Sequence, residues 1–158
     1  MAFRLMPFRA PNLEPVMTTI MPFSKVYGGF MSFIFAFLSI VLFDSITSGI
    51  GIWTLVTALA YGFLGLGAQY YFKNHSGWKS YATYAFIATI IYDAITGLTI
   101  GPLFFHQSFV VSLVGQIPFT AMHLIGNVSF AIVLSPLIER WLVKSEKKVV
   151  LEKVVLVS

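Results

Sequence analysis

The chain has 158 residues, of which 58% are hydrophobic, 16% aromatic and only 10% charged. A soluble domain carries about a quarter charged residues, so these charges are too few to cover a water-facing surface, and a soluble fold is excluded. The net charge of +4 comes from basic residues in loops and at the C-terminus, which reads as membrane anchoring and not as a nucleic-acid footprint. The absence of cysteine rules out a disulfide framework, a thiolate nucleophile and a cysteine metal site.

In chain order, residues 1–12 are punctuated by Pro7 and Pro11 and are too short to span; they are expected to form a loop or a surface-lying lid. Arg4 and Arg9 precede no uninterrupted apolar core, so this is not a signal peptide. A short apolar stretch from Leu13 to Ser24 carries Pro15 and Pro22 and predicts a short or tilted helix. Residues 26–43 and 53–72 are nearly continuous apolar runs, unlike the alternation of a barrel strand, and each predicts a spanning helix. A third spanning helix is expected over Tyr81–Ile95. Residues 98–117 are apolar but begin at Gly101-Pro102 and hold His106 and Gln107; they either dip into the membrane or cross it. Pro118 is expected to open a last helix reaching about Val143. The expected architecture is an all-α integral membrane bundle of five transmembrane helices, six if 98–117 cross. Residues 1–143 form one transmembrane domain and 144–158 a basic cytoplasmic tail.

Charge sets the orientation. With Arg140, Lys144, Lys147, Lys148 and Lys153 in the cytoplasm and 98–117 not crossing, Lys25, Lys73 and Lys79 fall on the same side. The protein is then a multi-pass cell-membrane protein with a cytoplasmic C-terminus. Helices 26–43 and 81–95 run parallel, and the phrases Phe43-Asp44-Ser45-Ile46-Thr47 and Tyr92-Asp93-Ala94-Ile95-Thr96 close both at the outer side, as an internal repeat would. Gly28, Ser32 and Ala36 fall four apart on one helix face, and Ala58, Gly62 and Gly65 on the next. Such faces let helices approach closely. They serve either internal packing or the docking of another membrane subunit.

Three groups of residues carry chemistry. Gln116, Thr120, His123 and Asn127 are spaced by four, three and four, so they share one helix face over about 16 Å. In lipid that stripe must face protein or a wet cavity. It is either interhelical hydrogen bonding or one wall of a polar ligand pocket. Asp44 and Asp93 are the only acidic residues from Lys25 to Ile138, and an intramembrane acid marks a functional site by default. Each either ends its helix with help from neighbouring Ser and Thr, or binds; Asp93 is placed to reach His123 or His106. Trp53 and Trp78 read as interfacial anchors, with Trp53 also able to stack on a ligand. His75 reads as a solvated turn residue. His106 and His123 lack the spacing of a metal pair, so no metal or other cofactor is expected.

No phosphate loop, nucleophile elbow or H-E-x-x-H occurs, and no enzymatic or catalytic residue is expected. The alternatives are a structural or assembly protein, whose stripe is glue, and a small ion- or proton-coupled carrier using Asp44 and Asp93.

The chain resembles the substrate-binding S component of an energy-coupling-factor (ECF) transporter. The resemblance lies in Asn12-Leu13-Glu14-Pro15, the repeated [Phe/Tyr]-Asp-x-Ile-Thr, Gly115-Gln116-Ile117-Pro118-Phe119-Thr120 and His123-Leu124-Ile125-Gly126-Asn127. It covers most of residues 10–142. It implies a helical bundle that binds a vitamin-like micronutrient near its outer surface and docks on a membrane T component driven by ATPase subunits. The implied ligand wall is Asp93, His106, Gln107, Gln116, His123 and Asn127, under a lid of residues 3–12 and 98–112. The family's first helix, which offers small residues to the T component, has no room before Pro7: either the start lies upstream, or the protein has five helices with its N-terminus outside and the Gly28, Ser32 and Ala36 face is the candidate substitute.

Overall fold

The computed structural model describes residues 15–157, with side chains through residue 145, so the expected lid over residues 1–12 lies outside the described residues. Five helices follow one another: α1 (Pro15–Tyr27), α2 (Gly29–Ile46), α3 (Ile52–Phe72), α4 (Trp78–Phe104) and α5 (Phe109–Val157). The chain is an all-α membrane bundle, in which α2 to α5 are long and apolar enough to cross a bilayer. At 13 residues, α1 is about 20 Å long and falls short of the roughly 30 Å hydrocarbon core.

The elements start and stop for local reasons. Pro15 opens α1, where its missing N–H costs nothing. Gly28 breaks the chain between α1 and α2 with φ +87, a conformation that a Cβ would strain. Pro22, inside α1, cannot donate to the Thr18 carbonyl one turn earlier. The Ser135 hydroxyl of α5 donates to that carbonyl at 2.9 Å, so the vacancy becomes a tie between helices.

Residues 98–117 neither cross nor form an irregular loop. Residues up to Phe104 continue α4, and α5 already begins at Phe109. Pro102 sits two residues before the end of α4, and the Gly101 carbonyl accepts from both the Phe105 and Gln107 amides, which closes the helix. Pro118 likewise lies within α5 and does not open it. The helix also runs on through the segment expected to be a tail.

Short turns make α2 to α5 alternate in direction, so α2 and α4 are parallel. Lys25, Lys73, Lys79, Arg140 and Lys144 gather at one end, where Lys25 pairs with Glu139 at 2.5 Å. The outer helix faces, including Phe30, Leu38, Phe63, Ile91 and Ile125, are exposed and apolar, as lipid requires.

Two pairs, α2 with α3 and α4 with α5, are bridged by α1, which touches all four other helices. Its Met17, Ile20 and Met21 are fully buried. The α2–α3 pair closes through the small-residue faces. Ser32 and Ala36 are fully buried, and the Ser32 hydroxyl donates to the Ile20 carbonyl of α1. The Gly29 amide donates to Gln69 Oε1 at 2.7 Å. The Gly28, Ser32 and Ala36 face expected to meet another subunit is thus occupied within the chain by α1 and α3.

A Cβ on Gly65 would stand 2.9 Å from the Ser32 backbone, whereas one on Gly115 would meet nothing within 4 Å. Gly65→Val is expected to lose about 1–3 kcal/mol to overpacking. Gly115→Ala is expected to leave the thermal midpoint unchanged or raise it slightly. Thermal unfolding of both variants in the same detergent checks this; equal midpoints would refute the close approach.

Candidate functional site

The α4–α5 interface is a polar seam. Along α4, Thr89, Asp93, Gly97 and Gly101 recur every four residues and so lie on one face. They meet Asn127, His123, Gln116 and Ser112 of the antiparallel α5. At the lowest rung Asn127 Nδ2 donates to Thr89 Oγ1 at 2.9 Å. At the next, His123 Nδ1 lies 2.7 Å from Asp93 Oδ1. Higher up, Gln116 lies across Gly97, where any Cβ would collide with its amide. At the top, the faces of Ser112 and Gln107 fill the space over Gly101, and the Ser112 hydroxyl donates to Gln107 Oε1 at 3.0 Å. The two glycines let long polar side chains lie between helices that would otherwise be held apart.

The Asp93–His123 pair is the centre of this seam. The side chains are 1% and 3% exposed, which excludes solvation as their stabiliser. Each side chain uses one polar atom in this contact, Oδ1 of Asp93 and Nδ1 of His123. That leaves Asp93 Oδ2 and His123 Nε2 buried with no hydrogen-bond partner, together with Asn127 Oδ1 one turn away. Aromatic rings enclose the imidazole: Tyr92 and Phe119 both approach it edge-on, at 5.8 and 5.6 Å between centroids. Tyr92 also packs on Tyr61 and lines an apolar groove of about 430 Å³ between α3 and α4, beside Phe63, Ile91 and Ile95. The seam therefore offers two acceptor oxygens and an imidazole nitrogen beside aromatic surface. Among the described residues no three His, Asp or Glu converge as metal ligands would.

Other expected site residues lie elsewhere. Asp44 sits in the last turn of α2, beside the α2–α3 turn: its Oδ2 accepts from the Thr54 hydroxyl at 2.6 Å and its carbonyl from the Gly49 amide. Trp53 sits at the same turn, with its ring folded over Gly51. Asp93 does not end its helix, since α4 continues for eleven residues beyond it. His106 is exposed at the tip of the α4–α5 hairpin, with φ 53, and does not reach Asp93, whose partner is His123. Gln107 stands at the outer end of the seam. Thr120 accepts from Gln116 Nε2 at 3.2 Å. His75 is a turn residue, its ring stacked on Tyr71.

Thr89, Gly97 and Gly101 belong to the seam although no sequence argument singled them out. Their spacing of four, in phase with Asp93, is the signal that would have found them. Comparison with known proteins returned no matching family model, no matching curated protein and no matching solved structure.

Removing one partner of a buried hydrogen-bonded pair leaves the other unsatisfied, at a cost of about 1–3 kcal/mol. His123→Ala is therefore expected to destabilise strongly, and Asp93→Asn with His123→Gln together less than the sum of the two alone. A double-mutant cycle on thermal unfolding reads this; additive losses would mean that the two side chains are not coupled.

Proposed function

We propose that this chain is the membrane-embedded substrate-binding subunit of a micronutrient uptake transporter of the energy-coupling-factor type. The observation that carries the reading is the cluster of buried partnerless atoms on Asp93, His123 and Asn127, walled by Tyr92 and Phe119. A buried polar atom without a partner costs about 1–3 kcal/mol. A vitamin-like heteroaromatic ligand relieves that cost if its ring N–H groups meet the two acceptors and its face meets the aromatics.

In this reading Asp93, His123 and Asn127 hold the ligand, Gln116 and Thr120 continue its wall outward, and the hairpin bearing His106 and Gln107 stands over the site. The basic end faces the cytoplasm and the hairpin faces outward. The parallel course of α2 and α4 accords with an internal repeat. Energy comes from partner ATPases through a T component. Because Ser32 and Ala36 are spent inside the bundle, the T component meets one of the exposed apolar helix faces.

One observation favours a second reading, in which the seam only holds the bundle: Asn127 to Thr89 and Ser135 to Thr18 are satisfied ties between helices. Mass spectrometry of the purified protein separates the two. The transport reading expects a co-purifying metabolite, bound at least about tenfold more weakly by Asp93→Asn, because a hydrogen bond to a charged group is lost. Protein that purifies empty, together with an Asp93→Asn variant altered only in stability, would leave the structural reading.

A further inference from the structure

At the basic end, far from the seam, a cavity of about 410 Å³ lies between the α1–α2 junction and the end of α3. Ser24, Lys25, Gly28, Gln69, Tyr70 and Lys73 line it. We infer that this cavity binds the phosphate of an anionic phospholipid headgroup.

Charge is the first argument. Among the described side chains this end carries Lys25, Lys73, Lys79, Arg140 and Lys144 against the single carboxylate of Glu139. Both oxygens of that carboxylate are engaged, Oε1 by Lys25 and Oε2 by the Tyr81 hydroxyl at 2.9 Å. Lys73 forms no ion pair among the described residues, so its charge is open to an anion at the cavity it lines. Shape is the second argument. Gln69 Oε1 is committed to the Gly29 amide, which leaves its Nε2 as the amide end free to donate on the cavity wall. An ammonium and an amide N–H donor then converge on one volume, which is the chemistry of a phosphate site.

Depth selects a lipid. Tyr70, 77% exposed, and Trp78, 53% exposed, stand at this same end, and such residues mark headgroup depth. The Lys79 ammonium lies 5.7 Å from the Trp78 ring, outside the cavity. It provides a control of equal charge at the same depth.

The full chain in nanodiscs of phosphatidylcholine, alone or with phosphatidylglycerol in equal parts, tests the assignment. Native mass spectrometry should find phosphatidylglycerol retained in preference to phosphatidylcholine. Lys73→Gln should cut that preference at least about tenfold, as expected when a hydrogen bond to a charged group is lost, and Lys79→Gln by no more than the roughly fivefold of any one lysine near an anionic surface. Equal retention of both lipids, or equal losses in the two variants, would overturn the site in favour of diffuse surface charge. Thermal stabilisation by inorganic phosphate together with indifference to phosphatidylglycerol would assign the cavity to a free anion and overturn the lipid. Both lysines are exposed, so neither variant threatens the fold.

Discussion

The lipid hydrocarbon offers no hydrogen bonds, so each polar group this bundle buries must be answered by another part of the chain. The carboxylate of Asp93 imposes that condition most severely. It fixes His123 opposite itself, and with it the register of α4 against α5. Gly97 and Gly101 then follow from the space that Gln116 and Gln107 occupy on the same line. The prolines answer to the same condition. Pro22 frees the Thr18 carbonyl, and Ser135 takes it up from another helix.

Small residues do two different jobs in the two helix pairs. Between α2 and α3 they bring backbone to backbone: Gly65 meets Ser32, and Gly29 meets Leu66. That interface is satisfied and leaves little room. Between α4 and α5 they make room for polar side chains. The two acids, alike in sequence, divide in the same way. Asp44 accepts from Thr54 within a turn and steadies the start of α3. Asp93 lies mid-helix, bonded on one oxygen and bare on the other.

Much of this was legible in the sequence, for identifiable reasons. Composition and unbroken apolar runs determine the fold class, and α3 is read to within a residue because its flanks are polar and glycine-rich. The α5 stripe is visible because four polar residues in an apolar helix have no other explanation than a shared face. Of the partners open to Asp93, His123 is the one it meets. What could not be read is the other half of the seam. Gly97, Gly101 and Pro102 resemble a helix stop, and they would be one in water. In a long hairpin they stay helical because unpaired backbone in lipid costs more than the weak helix preference of glycine. Reading them as a break hid the row at 89, 93, 97 and 101. The same mistake set residues 98–117 apart from α4, as a segment that dips or crosses. The small face on α2 was recognisable as a contact, but a face alone does not say whether its partner is in the same chain.

The vacancies of the seam are not spread at random, and that bears on what it is for. A purely structural interface would be at least as stable with apolar residues of the same shape, since a buried ion pair replaced whole is often neutral or better. Among the described residues three of the four bare buried side-chain atoms lie at two adjacent rungs, His123 with Asp93 and Asn127 below, and the fourth is Thr18 Oγ1 on α1. The reach of α1 adds to this. Thr18 lies beside Ser135, about two turns of α5 beyond Asn127 toward the basic end, and α1 runs from there to Tyr27 at that end. It fills the centre of the bundle below the seam and does not extend across it. Among the described residues no central helix stands between the two helix pairs at the level of Asp93 and His123. At that level Tyr92 of α4 packs on Tyr61 of α3, 4.4 Å between ring centroids, so an aromatic pair and not α1 joins the two helix pairs beside the unsatisfied rungs.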